Sequence, residues 1–429
     1  MKKMFAILLA LVLVLGIVGC VTSNDPVVTD PPVDPPIVTD PPVVDVDPID
    51  VTLKVWAPAN QVETGLVDQL NDMFAAEHPE WNITFTVEIQ GEDTAKDEVL
   101  KDPSVAGDVF MFANDQIEAL IEAGAIARLG GKYADEVFAS MPEAVYKTAM
   151  VGDALYAIPF THNLFFMFYD KTLLSADDIG SLNAIVAKET ADGVYNFHFD
   201  AAGGWKGGAY FYGAGNMIYG PDSVTYELGC DWNNATGLAV ANFLIETINN
   251  PKVVYGGDGN VDELFADHKL GACFDGAWNY GSYLEKLGDD LGLAALPTFT
   301  TEAGTHQLKG FYGSKVIGVN SQADFPEVAV AYAAFIGGEA AQTLRFEMSN
   351  QIPTNTAAGA SDAVQADPVA AVTVAAAAKS VTGQPTNSNF GSRYWANAGA
   401  FFDGIRSGDI NKDNVQEKLD AFAAALAVE

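Results

Sequence analysis

Positive charge is what this sequence has least of. Lysine and arginine together number 22, against 57 aspartates and glutamates, a formal net charge of −35 at pH 7. Such a surface repels phosphate backbones and anionic headgroups. It disfavours nucleic acid and the membrane surface as partners, and an anionic small-molecule substrate unless a local pocket differs from the average. Cysteine is nearly absent too: Cys20, Cys230 and Cys273 are too few for a disulfide framework, although the last two could pair in an oxidising compartment.

Catalytic signatures are missing as well. "GAGNMIYG" (213–220) holds a G-x-G but lacks the third glycine of a dinucleotide fingerprint and the lysine of a phosphate loop. There is no G-x-S-x-G elbow and no H-E-x-x-H helix. The histidines at 78, 162, 198, 268 and 306 are scattered without metal-ligand spacing. "DGNVD" (258–262) and "DINKD" (409–413) alternate carboxylates and amides, but neither has the central glycine and terminal glutamate of an EF-hand. Each precedes a helical pattern, where capping of free N–H groups is the simpler role. No metal and no cofactor is expected. Two carboxylates brought together by the fold would still permit glycoside hydrolysis.

What is present begins with "MKKMFAILLALVLVLGIVGC" (1–20), two lysines ahead of an apolar run that is short for a membrane span and ends in small residues, the pattern of an export signal. Its ending, Ile17-Val18-Gly19-Cys20, resembles a bacterial lipobox. That implies lipidation of Cys20 and a protein anchored to the outer face of the cell membrane. Residues 21–50 are rich in Pro and Asp, contain no Lys or Arg, and nearly repeat "VTDPP" at 28–32 and 38–42. Such a segment cannot bury enough apolar area to order itself, and reads as a disordered stalk. At about 3.1 Å per residue it would reach on the order of 90 Å.

The remainder, 51–429, is long enough for two domains. "VTLKVWA" (51–57) and "ITFTVEI" (83–89) alternate as strands do, with a helical spacing of Leu66, Leu70, Met73 and Phe74 between them. "DVFMFA" (108–113) is a solid apolar run, suited to a strand buried on both faces, and Asp115 and Glu118 are spaced as a capping box for the helix that follows. This order predicts an α/β fold with parallel sheet, and ligands of such sheets bind outside the carboxyl ends of the strands. Trp56 to Gln61 lie at the first such end, and Phe112 to Asp115 at another. Further helices are predicted over 234–247, 261–268, 326–335, 368–379 and a final segment carrying Val415, Leu419, Phe422 and Leu426, with a strand at 313–320. In "FDGAWNYGSY" (274–283), Trp278 and Tyr280 lie just past the end of the apolar run 270–274, where rings can form a platform, while Tyr283 is a turn further on and suits packing.

The order and spacing of "DVFMFANDQIEALIEAGAIARL" (108–129), "AIPFTHNLFFMFYDKTLL" (157–174), "LGACFDGAWNYGSYL" (270–284), "LPTF" (296–299) and "SRYWANAGAFFDGIRSG" (392–408) carry a resemblance. The chain resembles extracellular solute-binding proteins of the maltodextrin-binding type, the receptors of sugar ABC importers, over essentially all of 51–429. The resemblance implies a periplasmic-binding-protein-like fold: two α/β lobes, about 51–160 plus 308–352 and about 161–307 plus 353–429, joined by a hinge with the ligand cleft between them. It implies stacking of sugar rings on Trp278 and Tyr280, on Trp395 and its neighbour Tyr394 in "RYWAN", on Phe112, and on Trp205, with Asp115 gripping hydroxyls. Asn60-Gln61 stand where the best-known maltose binder has a charged pair, and Asn163 where it has a glutamate. Amides bond hydroxyls more weakly than charged groups, so the class of ligand is kept while the particular sugar is not. The function implied is capture of maltodextrin or a related oligosaccharide, without catalysis, by a monomer that delivers it to membrane permease subunits. The alternatives are a surface glycoside hydrolase, a carbohydrate-binding adhesin, or an ABC receptor for a different solute.

Overall fold

The computed structural model describes residues 48–200, 204–256 and 259–428. The export signal, Cys20 and nearly all of the expected stalk lie outside these residues. The stalk boundary at residue 50 is corrected slightly. The first strand runs Ile49–Ala57, because Ile49 already pairs with Trp81 of its neighbour.

Two sheets organise the rest. In the first, Ile49–Ala57 lies parallel to both Trp81–Ile89 and Val109–Ala113. The long strand Gly310–Val319 then adds antiparallel to Val109–Ala113 and to Ala157–Asn163, and parallel to Val381–Gly383. In the second, Leu270–Gly276 runs parallel to Tyr195–Phe199, which is itself parallel to Val253–Tyr255. Phe165–Asp170 joins antiparallel between Leu270–Gly276 and Leu291–Ala294. These are the two α/β lobes of a periplasmic-binding-protein-like fold. A single residue, Leu164, separates the first-lobe strand Ala157–Asn163 from the second-lobe strand Phe165–Asp170.

Burial explains the apolar runs. "VFMFA" is buried at all five positions, as a central parallel strand should be. In "FFMFYD", Phe165 and Met167 enter a core with Phe197, Phe199 and Phe274. Phe166 and Phe168 enter another, with Leu270, Cys273 and Tyr283 on the opposite face. Cys230 and Cys273 fall in different cores, and both are free and buried. Trp56 belongs to the first-lobe core, its Nε1 donating to Glu88 at 2.7 Å.

Asp115 does not act as a cap: residues Asn114–Gln116 form a short 3-10 turn before the helix Ile117–Glu122, and neither start has a side-chain cap. Within the calcium-like stretch 258–262, Asn260 accepts from the Asp262 and Glu263 N–H groups at the head of helix Val261–Ala266, which is capping. Among the described residues no helix is long and apolar enough to cross a membrane.

Candidate functional site

Strand ends from both sheets converge on a cavity of about 370 Å³. Asn60 follows the first strand, Glu92 and Asp93 follow the second, and Lys315 comes from the long strand Gly310–Val319. Ala277 and Trp278 come from the other lobe, just past Leu270–Gly276.

Trp278 is held flat against its own turn. A Cβ on Gly276 would fall 2.1 Å from the indole, although the backbone there, at φ −90°, would admit any residue. Glycine is required for room, not for conformation. Trp278 is 41% exposed. Trp205 lies beside it, ring centroids 5.9 Å apart and tilted 31°, and is braced edge-on by Phe165 at 4.8 Å. Trp205 Nε1 is buried without an acceptor among the described residues.

An ion pair stands at the cavity wall, with Asp93 beside it. Lys315 pairs with Glu92 at 3.2 Å. Burial lowers the His162 imidazole to about 4, so it is neutral at pH 7, and its Nδ1 meets the Tyr312 hydroxyl at 3.0 Å. Burial pushes the Asp115 carboxyl up to about 6 against the pull of Lys315; its Oδ1 has no hydrogen-bond partner among the described residues, and the residue lies outside the cavity's lining. The exposed Trp278 ring facing the hydrogen-bonding groups of Asn60, Glu92 and Asp93 suits a hydroxyl-rich ligand.

Residues 69–372 match the family model of bacterial extracellular solute-binding proteins. The chain belongs to that family. A structure solved with acarbose is similar over 88% of this chain and 98% of its own, at 37% identity and a TM-score of 0.82. The maltodextrin-binding protein of L. casei BL23, solved without ligand, is 26% identical with a TM-score of 0.77, over 88% and 99%. A galactooligosaccharide-binding protein of Bacillus subtilis (strain 168) is 25% identical over 261 residues, 57% of this chain and 60% of its own length. The chain thus spans about six-tenths of the length of the curated relatives it matches. The named relatives are binding proteins, not enzymes.

Within this solute-binding fold, the residues expected to touch ligand are sorted by position. Asn60 and Trp278 line the cavity, and Trp205 reaches it through Trp278. Gln61 sits behind the wall, accepting from buried Arg345 and donating to Glu92 at 3.4 Å. Phe112 is corrected to core: it is fully buried, its ring over Gly318 of the neighbouring strand. Tyr394 is likewise buried, donating to the Gly204 carbonyl at 2.9 Å and stacked on Phe390. Tyr280 is corrected as well: at the start of helix Tyr280–Leu287 it packs in part on the core of Phe166 and Phe168 and lines a different groove, with Leu284, Leu291 and Pro368, not the cavity beside Trp278. Asn163 is buried, its backbone paired with Gly313. Trp395 is half-buried, edge-on to Phe390 at 5.5 Å and outside this cavity's lining.

Glu92, Lys315 and His162 were not anticipated. Glu92 was within reach of the strand-end rule, since it follows the Trp81–Ile89 strand directly. Lys315 and His162 lie inside strands, and nothing in a one-dimensional pattern marks which face they take.

Proposed function

We propose that this protein is the substrate-binding component of an ABC importer, capturing maltodextrin or a related oligosaccharide by closure of its two lobes and passing it to membrane permease subunits. The observation that carries the reading is Trp278, an exposed indole fixed over Gly276 and opening on a cavity whose opposite wall is hydrogen-bonding. The C–H face of a pyranose covers such a ring, while its hydroxyl edge needs polar partners like Asn60 and Glu92. The solved relatives support the ligand class, one holding acarbose and another being a maltodextrin binder.

The same proposal includes a lipid anchor at Cys20, a stalk ahead of Ile49, and a monomeric body. It assigns about 51–160 and 308–352 to one lobe and about 161–307 and 353–429 to the other, with Val381–Gly383 lent to the first lobe's sheet. Thermal melting of the purified protein against maltotriose, galactooligosaccharide and glucose tests the ligand class. Stabilisation by an oligosaccharide supports it. Silence across the panel turns the reading to another solute, and reducing ends accumulating with time turn it to a hydrolase.

A further inference from the structure

Two neighbouring parallel strands of the second lobe bring like charges together at their carboxyl ends. Cys273 pairs with His198, and the same offset two residues on sets Asp275 beside Asp200. Adjacent strands lie about 4.8 Å apart, so these carboxylates repel unless a cation stands with them. Lys206 supplies it. Its Nζ is 2.9 Å from Asp200 Oδ2 and 3.6 Å from Asp275 Oδ1, and the side chain is largely buried. Burial pulls the ammonium's pKa down, but Asp275 and Asp200 outweigh that and hold it above the ordinary lysine value.

Asp275 also fixes the turn that carries Trp278. Its Oδ1 accepts the Gly276 N–H at 2.8 Å. Its Oδ2 accepts from Asn279 Nδ2 at 2.8 Å and from the Tyr283 hydroxyl at 2.7 Å. Lys206, at the other end of the ion pair, directly follows Trp205 in the chain. A single buried cation therefore ties the segment bearing one indole to the turn bearing the other.

We infer that Lys206 is a positioning residue that, by bridging Asp200 and Asp275, holds Trp205 against Trp278 so that the two indoles form one platform for adjacent sugar rings. The inference rests on the sugar-binding reading above and deepens it.

The test uses the full-length protein with Lys206→Met and Lys206→Arg. Three quantities are read: maltotriose Kd, melting temperature, and the exciton couplet that neighbouring indoles give in circular dichroism, assigned by its loss in Trp205→Phe and in Trp278→Phe. Lys206→Met should melt cooperatively, lose the couplet and bind maltotriose at least about tenfold more weakly, a loss of ~1.4 kcal/mol. Lys206→Arg should restore both. Should Lys206→Met unfold, Lys206→Met with Asp200→Asn removes the like-charge repulsion and is read the same way. A folded variant that keeps the couplet and wild-type affinity overturns the inference, and so does a wild-type protein without a couplet. If wild type shows the couplet but binds no maltotriose, the ligand reading fails alone, and dependence of the couplet on Lys206 still decides this point.

Discussion

Lys315 Nζ stands 3.2 Å from Glu92 Oε2, joining the long shared strand to the end of a parallel one at the wall of the cavity. Behind that pair, Glu92 Oε1 takes Gln61 Nε2 at 3.4 Å, and Gln61 Oε1 accepts from Arg345, whose guanidinium lies 4.3 Å from the Phe160 ring. Burial lowers Arg345 to about 10, which still leaves it charged at pH 7. The carboxylate therefore pairs with Lys315 directly and meets Arg345 through Gln61, and removing the buried guanidinium leaves the Gln61 Oε1 without its charged donor and opens a cavity beside Phe160. Arg345→Ala should cost about 3 kcal/mol in urea unfolding. A loss below ~1 kcal/mol would show that the network carries little.

Trp278 tests the ring platform apart from stability. Its exposure means that Trp278→Ala should change unfolding by no more than ~0.5 kcal/mol, while maltotriose affinity falls about thirtyfold, ~2 kcal/mol. Gly276→Ala should act through the same ring: the added methyl displaces the indole, and binding drops with the fold intact. In a Trp278→Ala background the Gly276 change should have no further effect, a coupling read from the double-mutant cycle.

Tyr280 supplies the contrast. With its ring partly buried against the core of Phe166, Phe168 and Tyr283, Tyr280→Ala should leave maltotriose affinity within about twofold of wild type and cost ~1–2 kcal/mol of stability. Loss of binding without loss of stability would put this ring back in the site.

Acidification exposes two opposed groups. Asp115, raised to about 6, holds a proton in the folded state that the unfolded chain releases near ~4. Its stabilisation is complete below that value and is lost as pH rises through about 6. His162, lowered to about 4, contributes stability above its unfolded value of ~6.5, lost as pH falls through about 4. The slopes oppose each other between these limits. Asp115→Asn should therefore lose melting temperature on acidification more steeply than wild type, and His162→Gln less steeply. Superimposable profiles for all three proteins would contradict the buried placement of both groups.

The strand ends were legible because period-two alternation and solid apolar runs follow directly from which faces of a sheet are covered, whereas the two lobes were implied only by the family resemblance. The fate of individual rings was not legible. Phe112 and Trp278 both lie at strand ends, yet Phe112 is still inside a strand covered on both faces, while Trp278 lies past its strand on an exposed 3-10 turn. Tyr280 was misplaced because the helix begins at that residue and packs it in part on the core of Phe166 and Phe168. Asp275 read as the mere end of an apolar run, and its role appears only when Lys206, Asn279 and Tyr283 converge on it. Arg345 sits in an ordinary helical pattern, and nothing local announces a fully buried guanidinium.

Titration of the purified protein with maltotriose, followed by tryptophan fluorescence and by calorimetry, tests the central claim most directly. The account predicts saturable binding at one site, a fluorescence change carried by Trp278, and loss of both signals in Trp278→Ala without loss of the fold. Saturable binding that survives Trp278→Ala with its fluorescence change intact would contradict it.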